Sequence, residues 1–456
     1  MCKIRCKNCT EKKLIKIVDL ILITQYYNHY FENNSKRIHS DKFKKITPYY
    51  PYYIKVLREQ GIIVVNDHYI VDKQSKSYSF TPKYTTLTVS KDIKEEEEDG
   101  LNGGDEEDNG WVEEKEGILF FRKEKWYDTL CKHLVFVDFD SENALKYLES
   151  TFTSGDVYEE RLRRQMEELN IRKIKEGNFN PHRDKNIRRF HTPLTNLKSE
   201  YRNFLTIRGK EIVCLDLKNS QPFLALKLFD PSFWYSPNLS KYQLRRFKKL
   251  FPNVIIEPDT MNFHFLGYDT NILKTDKYYR ILDAIKNVQS DLHIYFEKVQ
   301  NGSLYYLIQE ELKTQLGKEI SDYRELKGVI FTILFSSNRT GYISEKGKNK
   351  TEYIKLFKKL FPSVYSHFYA IKVNEHNLLS TMLQRLESYI FIDTISKKII
   401  EEKASLPFFT IHDSIACTLD QENYIHGIIS TEIEKIIGFV PTIGIEKWHP
   451  SNLEPK

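Results

Sequence analysis

The chain has 456 residues, 40% of them hydrophobic, enough for two or three domains and a sizeable core. Its formal charge of +6 hides an asymmetry: Asp92 to Glu116 carry thirteen acids against two lysines, a net of −11, which leaves +17 on the remainder. No apolar run approaches the roughly 18 residues of a spanning helix, no signal peptide is read at the N-terminus, and six cysteines in this length do not form a disulfide framework; a cytoplasmic protein is expected.

A basic body with 13% aromatic residues suits a polyanionic partner, because Lys and Arg displace counterions from phosphates and aromatic rings stack on bases. A codon bias toward Lys, Asn, Ile and Tyr is the competing explanation of the same composition. Cys2, Cys6 and Cys9 are spaced C-x₃-C-x₂-C; zinc there needs a fourth ligand from His29 or His39, and three unpaired thiols at a terminus is the favoured reading.

Residues 1–90 read as one small unit. Apolar periodicity predicts a helix over Val18–Phe31, a short one over Ser40–Thr47 and a third over Tyr50–Gln60, with Tyr53, Val56 and Leu57 on one face and Gly61 as its stop. Strands are expected at Ile62–Val65 and Ser77–Phe80, joined by a polar loop. Helices followed by a two-stranded ribbon resemble a winged helix-turn-helix, a DNA-docking module. In that reading Tyr50, Tyr52, Lys55 and Arg58 lie on or near the recognition helix, and Lys73 and Lys76 on the wing, without sequence specificity. A generic α+β domain with solvated lysines is the alternative. Residues 91–117, with their Glu and Asp runs, are expected to be a disordered acidic linker. Residues 118–456 are expected to form one larger domain of mixed helix and strand, including a charged helix over Asp156–Lys175.

Three segments of that domain carry chemistry. In EIVCLDLKNSQPFLALKLF, Ile212–Leu217 is a buried strand with Asp216 at its end; Asn219 and Ser220 are N-cap types and Pro222 suits the first turn of the helix that follows. A lone Asp there is more often a cap than a catalyst. In ASLPFFTIHDSIACTL, the runs Phe408–Ile411 and Ile415–Thr418 flank His412-Asp413-Ser414, so a tight hairpin is expected. His in such a turn points to a function that tolerates the local cost. In SDYRELKGVIFTILFSSN, Lys327, Phe331 and Phe335 recur every four residues, on one helical face. Taken alone, that helix reads as a core helix with a snorkelling lysine.

In this order the segments resemble the core shared by family A DNA polymerases (the DNA polymerase I family) and the single-subunit phage-type RNA polymerases. RRFHTPLTNLKSEYRNFL, Arg188–Leu205, and QRLESYIF, Gln384–Phe391, are similar to two further stretches of that core, so the resemblance covers about half of the chain. It implies an α+β right-hand polymerase of palm, fingers and thumb, with an antiparallel palm sheet behind the winged-helix-like domain. It implies that Asp216 and Asp413, 197 positions apart, hold two Mg²⁺ ions that activate a primer 3′-hydroxyl and stabilise the leaving pyrophosphate. Lys327 would neutralise triphosphate charge, Phe331 and Phe335 would stack under the incoming base or sugar, and His412 would orient the primer end or Asp413. Arg189, Arg202 and Gln384 would hold the duplex.

The sequence departs from the family in places. Thr332 and Ser336 stand where Gly is usual, and Tyr323, with Arg324 beside it, where Arg is usual. Gln221 stands where the DNA polymerases carry a Glu that excludes the 2′-hydroxyl, and Phe335 lacks the hydroxyl that the RNA polymerases have nearby. The resemblance therefore points to a nucleotidyltransferase that binds template, primer and nucleoside triphosphates. The expected form is a DNA polymerase of a plasmid, phage or mobile element; an RNA polymerase or primase-like enzyme and a DNA-binding replication protein with an inactive core are the alternatives.

Overall fold

The computed structural model describes residues 10, 13–18, 20–21, 36–67, 76–81, 125–151, 158–257, 260–268, 272–273, 275–338 and 345–453. Cys2, Cys6, Cys9, His29, Lys73 and the acidic stretch 91–117 lie outside them, as does most of the helix expected over Val18–Phe31. The described residues fall into two compact units, one drawn from Met1–Asp105, Asp140–Glu176 and Pro455–Lys456, the other from Glu106–Phe139 and Gly177–Glu454.

In the first unit, α1 (Ser40–Ile46) starts where the His39 side chain accepts from Asp41 N, and carries Lys44 and Lys45 in its last turn. Helix α2 (Tyr50–Glu59) has Pro51 in its first turn and ends at Gly61, whose φ of +64° only glycine adopts cheaply; Ile62 N then closes on Leu57 O at 2.9 Å. Strands β2 (Ile63–Asn66) and β3 (Ser77–Phe80) pair antiparallel, as the alternation suggested. A third strand, β1 (Lys36–Arg37), joins on the far side of β3, so the sheet has three strands where two were expected. Two residues are too few to leave an apolar period in a sequence. Phe43, Tyr53, Leu57, Ile63, Val65 and Tyr78 close over Ile17, Ile21 and Ile38 in one core. Helices α3 (Ser141–Ser150) and α4 (Tyr158–Lys175) pack together in the same unit.

The second unit is built on a four-stranded antiparallel sheet of order β11-β8-β10-β9. The strands are β8 (Ile212–Leu217), β9 (Phe408–Ile411), β10 (Ser414–Thr418) and β11 (Ile443–Trp448); β4 (Val137–Phe139) and β7 (Leu205–Ile207) pair in a separate two-stranded ladder. Every residue of β8 except Asp216 is buried, so both faces of this central strand are covered. The segment after β8 forms a short helix α5 (Ser220–Leu224) that tightens to 3₁₀ over Ala225–Phe229. All ten of these residues are buried, so no amphipathic period favours one long α-helix.

Three other pieces frame the sheet's Asp216 end. Strands β5 (His182–Arg183) and β6 (Phe190–His191) form a hairpin. Helix α6 (Tyr323–Phe335) carries the Lys327 stripe. Helix α7 (Leu378–Ser388) runs into a π-helical segment, Tyr389–Ser396, and then back to α over Lys397–Lys403. Among the described residues no helix is long and apolar enough to cross a membrane.

Candidate active site

Asp216 and Asp413 meet because β8 and β10 pair in one register. Ser414 lies opposite Asp216, and Leu217 N donates to Asp413 O at 3.2 Å. The turn between β9 and β10 is the two residues His412 and Asp413, and His412 holds a φ of +53°. A left-handed histidine is uncommon in a hairpin and stores local strain. Asn219, at the start of α5, is left-handed too (φ +51°) and makes no side-chain cap bond, contrary to its expected capping role. Its Nδ2 is buried without a partner among the described residues.

Burial first, then the facing Asp413, pushes the Asp216 carboxyl up to about 7, while Lys218 and Lys327 pull against that shift. Lys218 comes near because β11 offers Gly444 opposite Asp216: a Cβ at Gly444 would collide with the Lys218 side chain. Gly444→Ala should therefore leave the fold intact, since the exposed lysine can swing away, but raise the proton affinity of Asp216. The expected readout is an upward shift of the acid limb of the activity–pH profile with an unchanged melting temperature, matched by Lys218→Met. An unmoved profile in both variants means that Lys218 does not act on Asp216.

Helix α6 resolves the ambiguity of its sequence. Leu326, Val329, Ile330, Ile333 and Leu334 form the buried face. Phe331 and Phe335 are half-buried on another face, stacked at 5.5 Å, with the exposed Lys327 Nζ 5.6 Å from the Phe331 ring. The stripe is thus not the core stripe, and its lysine acts on Asp216. Arg324 lies on the same helix, its side chain outside what is described.

A third carboxylate, Glu387, was not singled out from the sequence. It extends the row Leu379, Leu383 at four-residue spacing on α7 and is 2% exposed. A carboxylate continuing an apolar stripe was the signal available in the sequence. Its Oε1 accepts from Arg189 Nε at 2.8 Å and Nη2 at 2.7 Å, and its Oε2 accepts from Gln221 Nε2 at 2.5 Å. Arg189 is thus committed to a buried ion pair. Gln384, one turn earlier, is half-buried. Arg202 donates to Leu197 O and lies 5.9 Å from the Trp448 ring. Burial, and then Asp413, pushes Glu387 up to about 8 against the opposing pull of Arg189 and Gln221. Burial, with the Arg189, His191 and Arg202 charges, pushes His412 down to about 3, so it is neutral near pH 7 and suited to hydrogen bonding rather than to acid catalysis.

Asp216 and Glu387 hold protons more tightly folded than unfolded, so stability falls as pH rises from their ordinary 3.8 and 4.5 to about 7 and 8. His412 and His367, depressed from 6.5 to about 3 and about 4, act oppositely below 6.5. Above 6.5 the carboxylates dominate among these four groups. In chelator-treated buffer the protein should lose stability from about pH 6.5 to pH 8, with a slope of up to about 1.4 kcal/mol per pH unit for each proton released. Asp216→Asn should flatten the lower part of that window, up to about pH 7, and leave the part that belongs to Glu387; a flat wild-type profile of stability against pH over the window contradicts it.

Among the described residues no group of three or more His, Cys, Asp or Glu side chains is placed to hold a metal ion. Asp216 and Asp413 nonetheless fit a hard cation: a carboxylate whose proton affinity is raised by burial and by a second carboxylate facing it gains from a shared positive charge, and Mg²⁺ completes its shell from water and phosphate oxygens.

In the first unit, the basic residues assigned to DNA contact are partly self-neutralised. Arg58 and Lys76 both pair with Asp67, at 2.8 and 2.7 Å, and Lys55 lies 3.8 Å from Glu59. All three are on the surface, where such pairs contribute little and open readily to phosphate.

No protein-family model and no curated protein matches the chain. Among solved structures, it is similar to the POL domain of Pol1 from M. smegmatis in complex with DNA primer-template and dNTP. The likeness covers 75% of this chain and 59% of that chain, with 10% sequence identity and a TM-score of 0.31.

Proposed function

We propose that the second unit is a template-directed nucleotidyltransferase of right-hand, family A-like architecture, acting as a DNA polymerase with Mg²⁺ held by Asp216 and Asp413. The observation that carries the reading is the register that brings Ser414 opposite Asp216, and so gathers two carboxylates 197 positions apart at one end of the two central strands, under the field of Lys327. Mg²⁺, when bound, supplies Lewis-acid stabilisation of phosphate oxygens and eases ionisation of a hydroxyl nucleophile. Lys327, exposed and beside the pair, balances triphosphate charge. The half-buried Phe331–Phe335 stack offers a platform for a base or sugar. Neutral His412, whose Nδ1 is buried without a partner among the described residues, offers that nitrogen to orient the primer end. The winged-helix-like unit supplies phosphate contacts through Lys55, Arg58 and Lys76, suiting a replication protein of a plasmid, phage or mobile element.

A second reading, an RNA polymerase or primase-like enzyme, draws on Gln221, an amide where a carboxylate is usual, whose Oε1 is buried without a partner among the described residues. Incubating the full chain with Mg²⁺ and a primed template, with dNTPs and rNTPs in separate reactions, tests both. Primer extension with dNTPs supports the first reading and with rNTPs the second. Nucleic-acid binding without incorporation of either overturns both and leaves a DNA-binding protein with an inactive core.

A further inference from the structure

Lys372 is the last residue of the helix Pro362–Lys372 and is only 3% exposed. A buried ammonium is costly unless it is paired. Burial pulls this one down to about 8, and no described carboxylate counters the shift. At pH 7 it still carries its proton, and its Nζ lies 3.2 Å from Ser336 O and 3.4 Å from Ile333 O. Ile333 stands in the last turn of α6, whose final carbonyls have no amide within the helix, and Ser336 follows the helix end. The lysine therefore caps the negative end of the helix that carries the Lys327 stripe. A second bond lies beside the first, from Asn338 Nδ2 to Tyr369 O at 3.0 Å. The helix that supplies both partners is itself fixed. In its first turn, Asp291 accepts from Ser363 N at 2.8 Å, Val364 N at 3.3 Å and Ser363 Oγ at 2.5 Å. Midway along it, the fully buried His367 donates from Nε2 to Leu228 O at 2.8 Å, in the 3₁₀ segment that follows the Asp216 strand and α5. A strut thus runs from the chain just beyond Asp216 to the C-terminal end of α6.

We infer that Lys372 and Asn338 are positioning residues: they latch the end of α6 to this strut, and so set where Lys327, Phe331 and Phe335 stand for the incoming nucleotide. This rests on the nucleotidyl-transfer reading. A cap that serves stability alone predicts something different: a lower melting temperature, with nucleotide and primer-template binding weakened together or not at all.

The test measures nucleotide kcat and KM, primer-template affinity and the melting temperature of the full chain. Lys372→Met keeps the apolar stem and removes the charge. It should raise the nucleotide KM by about tenfold, the scale of one hydrogen bond made by a charged group, while primer-template affinity moves by less than about threefold, because phosphate contacts elsewhere dominate it. Asn338→Ala should raise the same KM by about threefold, the scale of a neutral hydrogen bond. Combined with Phe335→Ala, Lys372→Met should add less than it does alone, since it acts through the stripe that Phe335→Ala has already damaged. An unchanged nucleotide KM in Lys372→Met, an effect additive with Phe335→Ala, or nucleotide and primer-template affinity falling together overturns the inference while leaving polymerase activity established. Should Lys372→Met fail to fold, Asn338→Ala decides alone: a raised KM supports the latch and an unchanged one overturns it. A wild type that incorporates no nucleotide removes both the inference and the reading beneath it.

Discussion

Asp413→Asn should lower nucleotide incorporation by about a thousandfold or more, the scale of removing a group that stabilises transition-state charge, while nucleic-acid affinity stays within about threefold, since phosphate contacts dominate it. Asn has the shape of Asp, and the bond that places residue 413 in the ladder, from Leu217 N to Asp413 O, uses the backbone, so the hairpin survives the change. What is lost is one negative charge from a pair that already repels. The same substitution relieves Asp216, whose carboxyl Asp413 helps to hold near 7, and Glu387, which Asp413 also pushes up. Activity and metal-free stability should therefore move in opposite directions: incorporation collapses while the melting temperature at about pH 8 holds or rises. Asp216→Asn should behave alike. A misfolded variant would lose both properties together. Incorporation that persists in both variants would remove the pair from the chemistry altogether.

Much of this centre was legible in the sequence because it is made of short apolar runs broken by one polar insertion. Ile212–Leu217 and Phe408–Thr418 read as strands, and His412-Asp413 as their turn, with only residue-level shifts in the bounds. The same held for α1, α2, Gly61 and β2–β3, where turn chemistry and alternation agree. Three kinds of feature were not legible. Helix α6 carries two stripes, and only packing tells which is buried: Leu326, Ile330, Ile333 and Leu334 go inward and Phe331 and Phe335 do not. The π-helical segment Tyr389–Ser396 keeps an apolar composition that α-helical periodicity also fits. Strand β11 alternates poorly and carries Gly444, whose role shows only once Lys218 lies across it. Glu387 belongs with these, since helical spacing marks a position as inward but cannot say that a carboxylate there will find Arg189, 198 residues earlier.

Arg183→Ala should be among the most destabilising single substitutions in the second unit, by about 3–5 kcal/mol, the range for breaking a buried ion pair. The Arg183 side chain is 2% exposed. Its guanidinium meets Asp393 bidentately, Nη1 to Oδ1 at 2.6 Å and Nη2 to Oδ2 at 2.9 Å, while Nε donates to Arg188 O at 2.7 Å and Nη2 to Ser388 Oγ at 3.2 Å. One side chain thus ties the β5–β6 hairpin to α7 and to the π segment, and Ser388 Oγ in turn donates to Arg188 O. Truncation strands Asp393 without its cation and leaves a cavity where the side chain lay. The hairpin it anchors also carries Arg189, so the ion pair with Glu387 loosens with it. Urea unfolding should show the loss, and Arg183→Ala/Asp393→Ala should recover part of it because the orphaned charge is gone. If the single and double variants are equally destabilised, the cost lies in lost packing and not in the unpaired carboxylate. If Arg183→Ala is as stable as wild type, the hairpin is held by Arg189–Glu387 and by Arg385, whose Nε donates to Asn186 O, without need of Arg183.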